Sequence, residues 1–376
     1  MKKLHFLLLA IFTLFISPAF GAEPPPTTSA TIKIRLGLII PLTGPLSFFG
    51  KDYVRAYEIA AEDHPELKDK IEFFWEDSAY DSKQAVSAFN KLVSVNKVDA
   101  VFSFGGPMLN TLAPIAEAKR IPFFASESAK SDCENKSYCI LFRNEEDEWG
   151  KATWKVLRKR GMRNIGIIKN QNQFMNTFVE AIVRTKNKDE NVEVLLDIPP
   201  EMVDLNSSIL PLKDKKIDAL GVYLLPGSHH GLLRALRSIN KKLPLFGLEE
   251  FMVKESNAGF EDLINGVLAI APAAIDSYRG KFESKFGNSP GFFYTPAFYD
   301  FCMLLKDTIT KEPTARGIEL IKALRFTGER SGVSGNYANK VSATGVHSYS
   351  FPIAAYKVEN GKAGVVEIIN FANEPQ

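Results

Sequence analysis

Glycine and proline meet at two points where an apolar run gives way to a helical pattern: Gly44-Pro45 after Ile34 to Ile40, and Gly105-Gly106-Pro107 after Ala100 to Phe104. Glycine allows close approach to the backbone, proline suits a first helical turn, and the free N–H groups of that turn can receive a carboxylate. Ordinary turns explain these glycines equally well. A third apolar run leads into Ser126-Glu127-Ser128, and Leu245 to Gly247 leads into Leu248-Glu249. Catalysis requires a nucleophile or base with a supporting partner. The chain has five histidines. His5 is in the leader, His64 adjoins Pro65, and His347 follows a Gly/Thr/Ser-containing stretch. His229 and His230 are adjacent and so point to different faces, unlike the i, i+4 pair of a helical zinc site, and are expected at the surface or a pocket rim. There is no Gly-x-Ser-x-Gly elbow and no phosphate loop ending in Lys-Ser or Lys-Thr. Catalytic residues, a metal and a cofactor are therefore not expected.

The elements that must position these residues begin behind a leader. Lys2 and Lys3 precede an apolar run from Phe6 to Ile16, then Pro18 and small residues up to Ala22. That order reads as a secretory signal, residues 1–22, cleaved after Gly21 or Ala22 on export to the periplasm. The remaining chain, about 355 residues, exceeds what one core usually organises, so two lobes are expected. Lys plus Arg number 46 against 44 Asp plus Glu. A chain this close to neutral lacks the basic footprint of nucleic-acid binding. Cys133 and Cys139 flank a polar loop, and export allows them to close a disulfide ring if their Cα atoms come within about 7 Å. Cys302, on an apolar helical face, is expected to be a buried thiol.

Short β-branched or aromatic runs alternate with longer helical periods. Strands are expected at 34–40, 71–75, 100–104 and 121–124, with helices at 50–63, 82–94 and 108–118 between them. A second series follows: helices at 146–160, 174–187 and 228–239, a short one near Ile209, and strands at 165–168, 192–196, 219–224 and 245–247. Such alternation indicates parallel sheets covered on both faces. Helices at 276–286, 296–310 and 315–324 and strands at 351–358 and 365–369 then return the chain to the first lobe and back. The expected fold is α/β, two doubly wound parallel-sheet lobes joined by three crossover linkers near 143, 272 and 330. Lobe 1 would comprise 23–143 plus 273–330, and lobe 2 144–272 plus 331–376.

The segment Ile34 to Gly50, the stretch Glu76-Asp77-Ser-Ala-Tyr-Asp81 with its following helix to Val98-Asp99, and the run from Ile217-Asp218 to Phe246-Gly247-Leu248-Glu249 resemble the bacterial type I periplasmic branched-chain amino-acid binding proteins. The resemblance covers nearly the whole chain after the leader. One departure is His64 to Lys70, where the family commonly has a Gly-Gly-Ile turn. The resemblance implies a monomeric solute-binding component of an ABC transporter that delivers a small amino acid or an apolar or aromatic carboxylate to a membrane permease. A sensory module using the same two lobes remains the alternative. Carried over by position, the family's site falls on Phe49, Gly106, Ser126 and Ser128 in lobe 1 and on Phe174, Leu225 and Glu249 in lobe 2. The ligand's acidic end is expected at Gly106, Ser126 and Ser128, and an ammonium at Glu249. Glu127 must point to solvent, pair with a lysine or face a cationic ligand, and solvent is the expectation.

Overall fold

The alternation of inward and outward residues along the strands becomes two sheets in the computed structural model, which describes residues 33–199, 206–224, 229–254, 257–325 and 328–372. The leader 1–22 and Leu225 lie outside the described residues. In the first sheet, β1 (Ile34–Ile40), β2 (Ile71–Asp77), β3 (Ala100–Phe104), β4 (Phe123–Ser126) and β5 (Cys139–Leu141) are parallel neighbours in the order β5-β4-β3-β1-β2. Successive residues of β1 bury on opposite faces, with Leu36, Leu38 and Ile40 in one core and Ile39 in another. This is the period-two signature of a strand covered on both sides. The helices α1 (Ser47–Asp63), α2 (Leu67–Lys70), α3 (Ser82–Ser94) and α4 (Gly106–Lys119) form the connections. The side chain of Asp81 caps α3 by accepting from Gln84 N at 2.8 Å, which sets where that helix begins.

The second sheet repeats the logic. β6 (Asn164–Asn170), β7 (Asn191–Ile198), β8 (Ala219–Tyr223), β9 (Leu245–Gly247) and β10 (Leu268–Pro272) are parallel in the order β10-β9-β8-β6-β7. α5 (Glu146–Arg158) and α6 (Gln173–Thr185) cover one face with Trp149, Trp154 and Phe178. α7 (Asn206–Ile209), α8 (His229–Ile239) and α9 (Glu261–Ile264) belong to the other face, where Leu232, Leu233 and Leu236 pack on Ile168 and Val222. α10 (Asp276–Phe286), α11 (Thr295–Lys311) and α12 (Gly317–Leu324) return to the first lobe, burying Phe282, Phe298, Phe301 and Leu320 in its core.

The third passage between lobes is not near residue 330. β11 (Glu329–Gly332), β12 (Gly335–Val341) and β13 (His347–Ser350) extend the first sheet, β13 pairing parallel with β5, and the chain crosses only between Ser350 and Ile353. Residues 331–350 therefore stand in lobe 1. Their Gly, Asn and Ser content hides the strand pattern, and what seats them is non-local, with Tyr337 and Tyr349 buried against the first core. β14 (Ile353–Glu359) pairs antiparallel with β10 and β15 (Lys362–Ile369) pairs antiparallel with β14 to close the second sheet, so both sheets are mixed with parallel centres. The three passages are tied together. Asn144 Nδ2 donates to Phe351 O at 2.8 Å, Ser350 Oγ donates to Glu148 Oε1 at 2.8 Å, and Ala273 N donates to Pro352 O at 3.0 Å. Cys133 and Cys139 are joined in a disulfide with Cα atoms 5.6 Å apart, and Cys302 is a buried free thiol.

Candidate functional site

A cavity of about 290 Å³ lies where the two sheets face each other, and most of its wall comes from loops at the carboxyl ends of parallel strands. Leu46 and Phe49 follow β1, Tyr80 follows β2, Phe104, Gly105 and Pro107 mark the end of β3, and Glu127 follows β4. From the second sheet come Asn172 to Met175 after β6, Leu224 after β8, and Leu248, Glu249, Glu250 and Val253 after β9. Pro290 and Tyr294, just before α11, complete it. Both sheets reverse strand order here, at β1/β3 and β6/β8, and such switch points open a crevice beyond the strand ends.

Local structure fixes the wall. A β-carbon on Gly50 would stand 2.0 Å from Pro41 O, so only glycine lets the β1 loop fold against α1 beside Phe49. Gly105 adopts φ +103° and passes against the Tyr80 ring, which a β-carbon would strike at 2.5 Å. The Asn172 side chain accepts from Met175 N at 2.9 Å and so starts α6 with Phe174 in its first turn. Phe49 lies 4.9 Å from the Phe104 ring and 5.1 Å from the Tyr294 ring, giving the cavity an aromatic wall.

Polar groups stand at defined places in this wall. Glu249 is 8% exposed; its Oε1 accepts from Tyr294 Oη at 2.8 Å across the cleft, and its Oε2 has no hydrogen-bond partner. Glu250 is buried, and burial together with the neighbouring Glu249 charge pushes its carboxyl well above the usual range. Glu127, expected in solvent, is 3% exposed. Its Oε1 accepts from Ser128 N at 2.8 Å, and burial raises its pKa against the opposing field of Arg143. The reason for this inward turn is Arg143 itself, a buried guanidinium at the first passage between lobes. None of its nitrogens has a hydrogen-bond partner, and it lies over the rings of Tyr294 (4.5 Å), Trp149 (5.2 Å), Phe174 (5.8 Å) and Phe178 (5.8 Å). Burial works against its charge, and Tyr294, Glu127 and Glu249 beside it more than offset that and raise its pKa.

Of the residues expected from sequence, Phe49, Phe174 and Glu249 line the cavity. Gly106 stands just behind the wall between Gly105 and Pro107; a β-carbon on it would lie 3.6 Å from Glu127 Oε2. Ser126 and Ser128 do not line it. The Ser126 hydroxyl accepts from Tyr53 Oη at 2.6 Å, and Ser128 is fully buried with no partner for its hydroxyl. His229, expected at a surface or rim, is buried with Nε2 2.8 Å from Asn257 Oδ1, and burial lowers its pKa to about 4. Sequence reasoning missed Arg143, Tyr294 and Tyr80. The Phe142-Arg143-Asn144 stretch after a short strand was a signal for the first.

Two sheets with three passages and a ligand-sized cleft at the strand ends define a two-lobed binding protein. The chain belongs to the periplasmic binding protein family, whose model it matches over residues 33–362. It is 24% identical over 358 residues to the Leu/Ile/Val-binding protein BraC3 of Rhizobium johnstonii, covering 90% of this chain and 95% of that protein. It is 23% identical over 211 residues to the Leu/Ile/Val-binding protein homolog 8 of Brucella abortus, where it spans 52% of that protein's length and 51% of its own. A leucine-binding protein of Thermotoga maritima shares the fold with TM-score 0.77 at 16% identity, over 90% of this chain and 99% of that one. A solute-binding protein of an ABC transporter from Rhodopseudomonas palustris, solved with 3,4-dihydroxybenzoic acid, shares it with TM-score 0.76 at 17% identity, over 91% and 99%.

Proposed function

We propose that the chain is the extracytoplasmic solute-binding component of an ABC transporter, closing its two lobes on one small, predominantly apolar molecule and delivering it to a membrane permease without chemical change. One observation carries this reading. The cavity at the switch points of both sheets is walled by aromatic rings, and Tyr294 from lobe 1 already meets Glu249 from lobe 2 across it. The disulfide between Cys133 and Cys139 accords with an oxidising compartment and so with export. The amino acids and aromatic acids named for the relatives supply the first compounds to test. A thermal-shift screen of amino acids, aromatic and short aliphatic acids and the corresponding amines should find one class that stabilises the purified chain. At a hundredfold excess over the dissociation constant the gain is about 2.7 kcal/mol. The stabilising compound should be recovered unaltered after prolonged incubation. No stabilisation across the panel, or consumption of the hit, would count against the proposal.

A further inference from the structure

The polar groups of the cavity wall are unbalanced. Three carboxyl groups, Glu127, Glu249 and Glu250, line it, and among the described residues no lysine or arginine does. Arg143 stands behind the wall, one cation against those three acids. Lobe 1 offers an anion one natural seat, the start of α4. There Met108 N and Leu109 N turn back to Gly105 O, at 3.1 and 3.0 Å, and Pro107 has no N–H, which leaves the Gly106 amide without a partner inside the helix. A β-carbon on Gly106 would lie 3.6 Å from Glu127 Oε2, which puts that carboxylate beside the start of α4, while Glu127 Oε1 accepts from Ser128 N at 2.8 Å. The protein's own carboxylate therefore stands beside the seat. On the other side Glu249, nine-tenths buried and lining the cavity, has an oxygen with no donor.

We propose that Glu127 is a built-in occupant of the anion seat and that the cavity consequently takes an apolar primary amine bearing no carboxylate, whose ammonium donates to Glu249 Oε2. This rests on reading the chain as a solute-binding protein. A ligand carboxylate brought to the same seat would share it with Glu127, and two carboxylates in one site do not both ionise. A ligand ammonium instead adds the missing donor and the missing positive charge. Burial and the neighbouring Glu249 charge push Glu250 towards its neutral form, so Arg143 and the ammonium stand opposite Glu127 and Glu249. The rings of Phe49, Phe104, Phe174 and Tyr294 then face the apolar body and the cation.

The test is titration calorimetry on the chain without its leader, with two matched trios: phenethylamine, L-phenylalanine and hydrocinnamate, and isoamylamine, L-leucine and isocaproate. In at least one trio the amine should bind about tenfold or more tighter than both carboxylated partners. Glu127→Ser should empty the seat and admit the amino acid of that trio. Glu127→Gln keeps the volume and an acceptor for Ser128 N, so it is the control for folding. It should weaken the amine about tenfold. Binding of an amino acid or a plain acid as tightly as its amine to the unaltered chain would overturn the inference and leave the solute-binding reading standing. An unchanged amine affinity in Glu127→Gln would overturn it as well. Failure of all six compounds would overturn the inference too, while the solute-binding reading answers to the wider thermal-shift panel.

Discussion

Arg143 is the residue on which the electrostatics of the cleft turn. It is buried, has no hydrogen-bond partner for any of its nitrogens, and faces the fields of Glu127 and Glu249. Replacing it by a neutral side chain of similar length leaves those acids without a counter-charge in a dry setting, and breaking such buried compensation typically costs about 3–5 kcal/mol. Arg143→Met should therefore lower the unfolding free energy by that amount at pH 7. The loss should shrink at pH 4.5, because Glu127 is already biased towards its neutral form by burial. Urea unfolding at the two pH values measures both. An equal loss at both would assign the effect to packing against Trp149 and Tyr294 alone. Arg143→Lys should recover only part of the loss, because it restores the charge but a point charge cannot lie flat across four rings.

Among the elements, α6 carries Phe174 into the cavity and depends on its cap. Asn172→Ala removes the acceptor for Met175 N and should cost about 1 kcal/mol, seen as a lower urea midpoint, together with weaker ligand binding as the first turn loosens. A stability loss with unchanged affinity would separate the cap from the site. α11 is tied to the β11–β12 turn through Asp300, whose oxygens accept from Val333 N at 2.8 Å and Ser334 N at 2.9 Å. Val333 O in turn accepts from Ile275 N at 2.9 Å, joining this turn to the second passage between lobes. Burial raises the Asp300 pKa from 3.8 to about 6, against these hydrogen bonds. The folded state thus binds its proton more tightly than the unfolded chain, so this group's contribution is fully present below pH 3.8 and is lost as pH rises through 6. The difference is on the order of 3 kcal/mol. Asp300→Asn, which does not titrate, should show a flatter fall in stability between pH 4 and 6 than the unaltered chain. Parallel slopes would contradict the assignment.

For the whole molecule, the two sheets are linked by three short passages held to one another at Asn144, Ser350 and Pro352. Such a joint permits hinge motion of one lobe against the other. Small-angle scattering should then show a smaller radius of gyration when a stabilising ligand is added. Glu249→Gln should reduce that compaction in proportion to lost affinity. A ligand that stabilises the chain with no change in scattering would place it outside the cleft.

Local patterns in the sequence determined the alternation of strands and helices and the two-lobed division, because hydrophobic period and turn chemistry act over a few residues at a time, whereas Phe49, Phe174 and Glu249 were legible only through the family resemblance. Capping of α3 by Asp81 and the position of Gly105 at the end of β3 belong to the same short range. Tertiary structure alone decided the rest. The β11–β13 strands have a weak local signal and are seated by Tyr337 and Tyr349 against a core built from distant residues, which moved the third passage to 350–353. Glu127 reads as a solvated loop acid along the chain. It turns inward because folding brings a guanidinium from the first passage and the loops of the other lobe to the same cleft, and a side chain's burial depends on what the whole chain packs around it.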